Sequence, residues 1–411
     1  MDVDVIGMLD RIAENGTAPV RGCSLFGVGY DAAFGAIRRT YFERAFARGR
    51  STEKYVVGAY GSGKTHFLRQ LVEIAQTLGC VTAEVALTKD LDYTQTLIVY
   101  QQVANSLRVP GKDREGMDEL LRAMLDRVGT QAPSDDLRKA LVSRWIPTIE
   151  SWNLKSKRFQ RVLRHAFEAL DDGNEQRFEK ACRWLSGEVK DRTLAKEFGE
   201  QPLTKDELSL HGREALLSLG QAVKKAPFRG TVIGFDEAEQ GLSEGIRQAR
   251  RRERVLSMLQ SSINATTDLE GGATLIVYAI TPDVWEEMSA APMLQQRVSD
   301  PGPGQGFLDG NPRAVKIPLD ENREDPVSEL KRMGAALVDV LYRSHAADMK
   351  GLDQGDALSR VAEMAEQVAV DEPSVSSRRI MMKRVATMLM NGYETGAFDM
   401  TARVSSETEP E

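Results

Sequence analysis

Apolar residues recur along this chain at two spacings, and the spacing divides it into elements. Near the amino terminus Val5, Ile6, Leu9 and Ile12 share one face of a short helix that ends in a loop at "NGTAP". Beyond "FGVGYD", helical spacing returns at Phe34, Ile37, Tyr41, Phe42 and Phe46. That helix also carries Arg38, Arg39, Arg44, Arg48 and Arg50, which read mostly as solvated charge. Runs dense in β-branched residues predict strands at "KYVVG" (54–58), "VTAEVALT" (81–88), "GTVIGFDE" (230–237), "ATLIVYAIT" (273–281) and "AVKIPL" (314–319). Helical stretches separate them, at 66–80 closing on Gly79 and at about 93–107, as in a parallel sheet with crossover helices.

Residues 110–225 hold no convincing strand. A structureless loop of that length is implausible, so the pattern predicts a helical insertion between strands of one sheet. Its Trp145, Trp152 and Trp184 are expected in a core, and an insertion of this size is also a natural docking surface. Residues 326–396 read as helices alone, and "RVSSETEPE" as a disordered tail. The expected division is 1–53 leading into the core, 54–109 and 226–322 as the two parts of the core, 110–225 as the insertion, 323–400 as a helical lid, and 401–411 as the tail.

Composition changes this picture little. The 411 residues are 41% hydrophobic and 28% charged, an ordinary globular balance. A net charge of −7 argues against a basic coat over the whole surface and leaves local patches open. Cys23, Cys80 and Cys182 are too few and too scattered for a disulfide framework, which favours a reducing, cytoplasmic setting. Four histidines without a CxxC make no zinc site. The acidic start is unlike a signal peptide, and no apolar run approaches the ~20 residues that cross a bilayer, so no membrane role is expected.

The candidate chemistry begins at Gly58-Ala59-Tyr60-Gly61-Ser62-Gly63-Lys64-Thr65, which fits G-x-x-x-x-G-K-[ST] without a mismatch. Glycines let the backbone curl until successive N–H groups face phosphate oxygens. The following helix adds the positive end of its dipole. Lys64 can reach the β- and γ-phosphates of ATP, and Thr65 offers Mg²⁺ a hydroxyl. His66, next in the helix, completes the candidate nucleotide contacts.

"TVIGFDEAEQ" supplies the partner motif. Asp236 at the end of a core strand can hold Mg²⁺, and Glu237 can orient or deprotonate an attacking water. With the loop after the first strand, the acids after the third, and two strands following, the order suggests an additional-strand P-loop ATPase: an α/β, five-stranded parallel sheet with a large helical insertion and an all-α lid. Thr281, at the tip of the fourth strand, takes the place of a water-positioning polar residue; it also reads as a helix N-cap before Pro282, and the two roles are compatible.

These residues resemble AAA+ ATPases of the origin-recognition type. The resemblance implies that Arg297, in "APMLQQRVSD", is an arginine finger entering a neighbouring subunit's site, and hence a homo-oligomer. It also implies a lid arginine in "SVSSRRIMMKRV", where Arg378 aligns best and Arg379 is a close alternative. More narrowly, "ENGTAPVRG", "FGVGYD", "GAYGSGKTHFLR", "RWLSGE", "GFDEAEQ" and "AITPDVWEE" are similar to the ATP-binding proteins of bacterial phage-exclusion (BREX) systems, the BrxD-like group. That implies defence against foreign DNA beside partner proteins. His66 and Phe67 depart from the Phe and Leu expected there.

"RQARRRERV" (247–255) carries five arginines and one glutamate, a local charge of +4. It fits contact with double-stranded DNA, and equally a solvated helix face or pairing with a neighbour's acids. Two other enzyme classes fit less well. A helicase suggested by "DEAE" needs a second strand-rich domain, and a small-molecule kinase needs an acceptor pocket in a shorter chain. The non-enzymatic rival is a nucleotide-dependent switch that assembles and seldom hydrolyses.

Overall fold

The computed structural model describes residues 3–88, 95–130, 132–240, 242, 249–298, 307, 311–319, 325–349, 352–372 and 377–398. The expected tail, and the first residues of the helix expected at about 93–107, lie outside them.

Five strands form one sheet: β1 (Thr52–Val57), β2 (Val81–Ala86), β3 (Thr231–Asp236), β4 (Thr274–Ile280) and β5 (Lys316–Pro318), in the order β2-β3-β4-β1-β5. Helices α1 (Val5–Asn15), α2 (Cys23–Phe26), α3 (Asp31–Ile37) and α4 (Lys64–Thr77) come first in the chain. Between β2 and β3 lie α5 (Thr96–Asn105), α6 (Met117–Gly129), α7 (Asp135–Thr148), α8 (Lys157–Asp171), α9 (Glu175–Leu185), α10 (Arg192–Glu197) and α11 (Lys205–Lys225). Then follow α12 (Ala249–Thr267), α13 (Pro282–Ser289), α14 (Pro292–Val298), α15 (Pro326–His345), α16 (Gln354–Asp371) and α17 (Ser377–Thr395).

By packing, the chain makes two compact units. One comprises Met1–Phe34, Gly58–Glu73 and Pro318–Glu411; the other comprises Gly35–Val57 and Ile74–Ile317.

The second unit holds most of the sheet. β3 and β4 are buried at every position, which is why they read as unbroken apolar runs rather than alternating ones. β1 pairs with β4, β4 with β3 and β3 with β2, all parallel. Tyr55, Tyr278 and Phe235 stack across the three central strands, with centroids 5.2 and 5.0 Å apart.

The helices between β2 and β3 share this core. Tyr100, Leu121, Phe167 and Trp184 belong to one apolar cluster with Ile233 and Tyr278. Trp152 and Trp184 are buried, and Trp145 packs edge-on against Trp152 and Phe167. "RWLSGE" is the turn that ends α9, fastened to α5 where Tyr100 donates to the Leu185 carbonyl and Gln101 to that of Gly187. α11 crosses α5 so closely that a Cβ at Gly212 would lie 2.3 Å from the Leu97 nitrogen.

The helix expected over the 30s and 40s is different in kind. It runs as α3 to Ile37, then as a π-helix over Arg38–Ala45 and a 3₁₀ turn over Phe46–Arg48. The i→i+5 turn is wider than an α-helical one. Here both Tyr41 and Phe42 turn inward, and the Tyr41 hydroxyl donates to the Pro312 carbonyl at 2.8 Å.

In the first unit, α1 lies along α17. Val5, Leu9 and Ile12 are buried in one cluster with Leu337, Leu341, Met381 and Val385. Glu73 of α4 caps α2: its carboxylate accepts from the backbone N–H of Gly22, Cys23 and Ser24 at 2.6, 3.1 and 2.7 Å. A carboxylate at a helix N-terminus satisfies donors that the helix itself leaves open.

β1 also buries two ionisable residues. Lys54 donates to the Arg313 and Ala314 carbonyls, and burial pushes its ammonium down to about 7. Glu53 Oε1 accepts from the Ser262 and Thr266 hydroxyls, both at 2.7 Å, while Oε2 has no partner. Burial pushes Glu53 up to about 7, with the two hydroxyls opposing. The folded chain therefore holds this proton more tightly than the unfolded one. The stability this carboxyl contributes falls as pH rises from 4.5 to about 7. Glu53→Gln keeps an acceptor for both hydroxyls and does not titrate. Its urea midpoint relative to the parent should rise across that window and level off above it; a difference independent of pH would refute the buried carboxylate.

Candidate functional site

The chain leaves β1 at Val57 and enters the glycine loop at Gly58. Gly61 and Gly63 have φ of 81° and 94°, which side chains other than glycine's rarely adopt, so the curl demands glycine there. A Cβ at Gly58 would lie 2.3 Å from Ser62 Oγ. Lys64 Nζ folds back over the loop, donating to the carbonyls of Gly58 at 3.0 Å and Ala59 at 3.3 Å. Ser62 Oγ is buried without a hydrogen-bond partner. An orphaned hydroxyl and a lysine inside a glycine cradle fit a triphosphate. Thr65 lies in the first turn of α4, and Tyr60 stands 73% exposed at the loop's tip.

His66 presents its ring edge-on to Phe26, centroids 4.9 Å apart. Burial, then the Arg69 and Arg378 cations, push the imidazole down to about 4. It carries no positive charge toward a phosphate at neutral pH.

Arg378 of α17, Glu329 of α15 and Tyr30, just before α3, meet beside the same loop. Arg378, at the start of α17, is 8% exposed. Its Nη1 donates to the Ser62 carbonyl and, at 3.2 Å, to the Tyr30 hydroxyl. Its Nη2 meets Glu329 Oε1 at 2.5 Å. Arg379 points elsewhere, donating to the Asn15 carbonyl at 2.9 Å. Of the two candidate lid arginines, Arg378 is the one at the phosphate loop. Sequence reasoning missed Tyr30 and Glu329. "FGVGYD" contains the tyrosine without declaring its role, and nothing in the sequence around 329 points to residue 62.

The acids sit in the other unit. The register sets Val57 level with Ile280 and Asp236 level with Ala86, so these strands end at one edge of the sheet. Ligands of open α/β sheets bind outside that edge. Asp236 is buried, and its Oδ1 accepts from the Glu237 backbone N–H at 3.0 Å. Glu237 has φ of 52°, a left-handed conformation that costs a non-glycine residue on the order of 1 kcal/mol. Its Oε2 accepts from the Gln240 amide at 2.8 Å. Thr281 occupies the N-cap position of α13 but accepts no side-chain capping bond. Arg297 is exposed on the last turn of α14 and forms no ion pair among the described residues. Arg252 and Arg254 of the basic run are exposed on α12; Arg247 lies outside the described residues.

Among the described residues no cluster of three or more His, Cys, Asp or Glu is poised for a metal. Asp236 in one unit and the Thr65 hydroxyl in the other are each oxygen donors of the kind Mg²⁺ takes. No helix among the described residues is long and apolar enough to cross a membrane.

A parallel α/β sheet whose first strand runs into a glycine cradle and a helix is the arrangement of a nucleotide-binding protein. Residues 5–407 match the family model described as BREX system ATP-binding protein BrxC/D, and the chain belongs to that family of ATP-binding proteins. No curated protein and no solved structure matches the chain.

The Arg378–Glu329 pair should be energetically coupled. Arg378→Ala leaves a largely buried carboxylate without its cation and should cost about 2–3 kcal/mol. Adding Glu329→Ala should cost less than the sum of the two single changes, by about 1 kcal/mol or more in chemical denaturation; strict additivity would show that the pair does not interact.

Proposed function

We propose that the chain is a Mg²⁺-dependent ATPase of the AAA+, additional-strand type, which assembles with copies of itself and acts on DNA with partner proteins of a BREX-like defence system. The observation that carries this reading is the glycine cradle over Lys64, with Arg378 reaching its Ser62 carbonyl.

In this reading Gly58 to Thr65 bind the triphosphate through backbone N–H groups, Lys64 neutralises the β- and γ-phosphates, and Thr65 and Asp236 hold Mg²⁺. Held there, Mg²⁺ would supply positive charge to offset that of the phosphates. Glu237 orients the attacking water and takes its proton, and Thr281 helps position that water. Arg378 senses the nucleotide from the lid. The position of β4 between β1 and β3 supports the additional-strand assignment. Arg297, exposed and without an ion pair among the described residues, supports a finger supplied to a neighbour's nucleotide. Arg252 and Arg254, exposed on α12, support contact with duplex DNA. The expected division into core, insertion and lid belongs to the same proposal.

A second reading is a switch that binds ATP, assembles and seldom hydrolyses. The amide of Gln240 on the Glu237 carboxylate favours it, because a hydrogen bond to the charged carboxylate makes it a weaker base.

Lys64→Ala should abolish uptake of a fluorescent ATP analogue. Glu237→Gln should take it up as the parent does and turn over ATP ~10²-fold more slowly or worse. Parent-like uptake by Lys64→Ala would overturn the site, and parent-like turnover by Glu237→Gln would favour the switch. Arg297→Ala should leave nucleotide affinity unchanged and reduce turnover ~10³-fold or more; equal losses of both would remove the finger.

A further inference from the structure

The π-helix places arginines where an α-helix would not. In an α-helix residues three or four apart are neighbours; in a π-helix residues five apart stack. Arg38 and Glu43, five apart, show this directly, with Nε and Oε1 3.0 Å apart. One residue along, Arg39 and Arg44 take the corresponding positions on the same π-helix, the Arg39 guanidinium lying back beside Gly35. Both are exposed, and neither side chain has a hydrogen bond or ion pair among the described residues. Arg48 and Arg50 follow across the turn at Gly49, equally exposed and, among the described residues, equally without a carboxylate. Residues 38–50 contain five arginines and one acid, already engaged by Arg38.

Further cations gather on the same backbone. Arg229 donates to the Phe42 carbonyl at 3.3 Å and to that of Leu78 at 2.8 Å, so it adds its charge beside the π-helix without neutralisation. Lys224 donates to the Arg229 carbonyl at 3.4 Å. Burial, and next to it Arg229, lower the ammonium's affinity for its proton. The Gly49 carbonyl accepts from Ala273 N, just before β4, and Arg229 stands just before β3. The arginines therefore crowd the amino-terminal edge of the sheet, away from the edge where Val57, Asp236 and Ile280 end. Asp268 and Glu270 lie close in the chain to Gly271, which packs on Gly49, yet neither forms an ion pair among the described residues.

We infer that this arginine surface, built on Arg39, Arg44, Arg48 and Arg50 with Arg229 behind them, binds the phosphate backbone of duplex DNA. Exposed guanidiniums without a carboxylate among the described residues, gathered on one short segment, are what a polyanion neutralises. A protein partner fits less well: protein interfaces centre on aromatic or apolar anchors. Among the described residues the exposed large hydrophobics, such as Tyr60, Leu137 and Val370, all lie outside 38–50 and 224–230. Single strands fit less well for the same reason, since they stack their bases on exposed aromatics. Polar, strongly positive surfaces are those that meet duplex backbones. The surface rests on the DNA reading above, names a face other than α12, and uses nothing of the nucleotide site.

The test is fluorescence anisotropy of the full chain with a labelled DNA duplex across a salt series. The triple variant Arg39→Gln, Arg44→Gln, Arg48→Gln should bind at least ~10-fold more weakly at low salt, with a log–log salt slope flatter by about 0.9 for each phosphate no longer neutralised. Glu43→Gln, which removes the acid, should bind more tightly than the parent, a gain that misfolding cannot produce. Nucleotide uptake should be parent-like in both. A triple variant that binds as the parent does, while Arg252→Gln with Arg254→Gln loses the duplex, would overturn this surface and leave the DNA reading standing. A parent chain that binds no duplex would overturn both. An acidic protein fragment that competes equally well, at equal charge, would overturn the duplex as occupant.

Discussion

Parallel backbone pairing of β1 with β4 and of β4 with β3 is the constraint on which the rest depends. It is residue-for-residue pairing without a bulge across the centre of the sheet. Because side chains alternate with a period of two, a slip of one residue would turn Tyr55, Tyr278 and Phe235 to different faces and break their stack. The same register brings the carboxyl ends of these strands to one edge. There the chain enters the glycine loop after Val57 and reaches its acid pair at Asp236. The helices between β2 and β3 add to this core rather than making one of their own, since Tyr100, Phe167 and Trp184 lie in one apolar cluster with the strands.

In the other unit a charged contact takes the organising role. Arg378 meets Glu329, Tyr30 and the Ser62 carbonyl, so helix α15, the segment after α2 and the phosphate loop all converge on one guanidinium. Such a contact is sensitive to whatever else the loop holds. Glu73 acts in parallel by fastening the segment at Gly22 to the far end of the loop's own helix.

The buried ions of β1 obey a different logic. Glu53 and Lys54 face opposite sides of the sheet, each solvated by protein dipoles rather than by a countercharge. Hydroxyls and carbonyls satisfy their geometry but not their charge, so both are shifted toward neutrality. They bind β1 to α12 and to the segment before β5, at the cost of a stability that varies with pH.

Local pattern was enough for the strands, the glycine cradle and the acid pair, because each is encoded by neighbouring residues. β-branched runs make buried strands, glycines at fixed offsets permit positive φ, and two acids end a core strand. Pattern also found the helix that begins at Asp31, but not its change to a π-turn, which depends on seating Tyr41 and Phe42 together in the core. Two adjacent lid arginines look alike in sequence; packing of α17 sends Arg378 to Ser62 and Arg379 to Asn15. Glu329 and Tyr30 gave no signal, since their value lies in meeting an arginine about 50 and 350 residues away. What is short-range in the chain was readable from the chain. What arises from the meeting of distant segments was decided only when the fold brought them together.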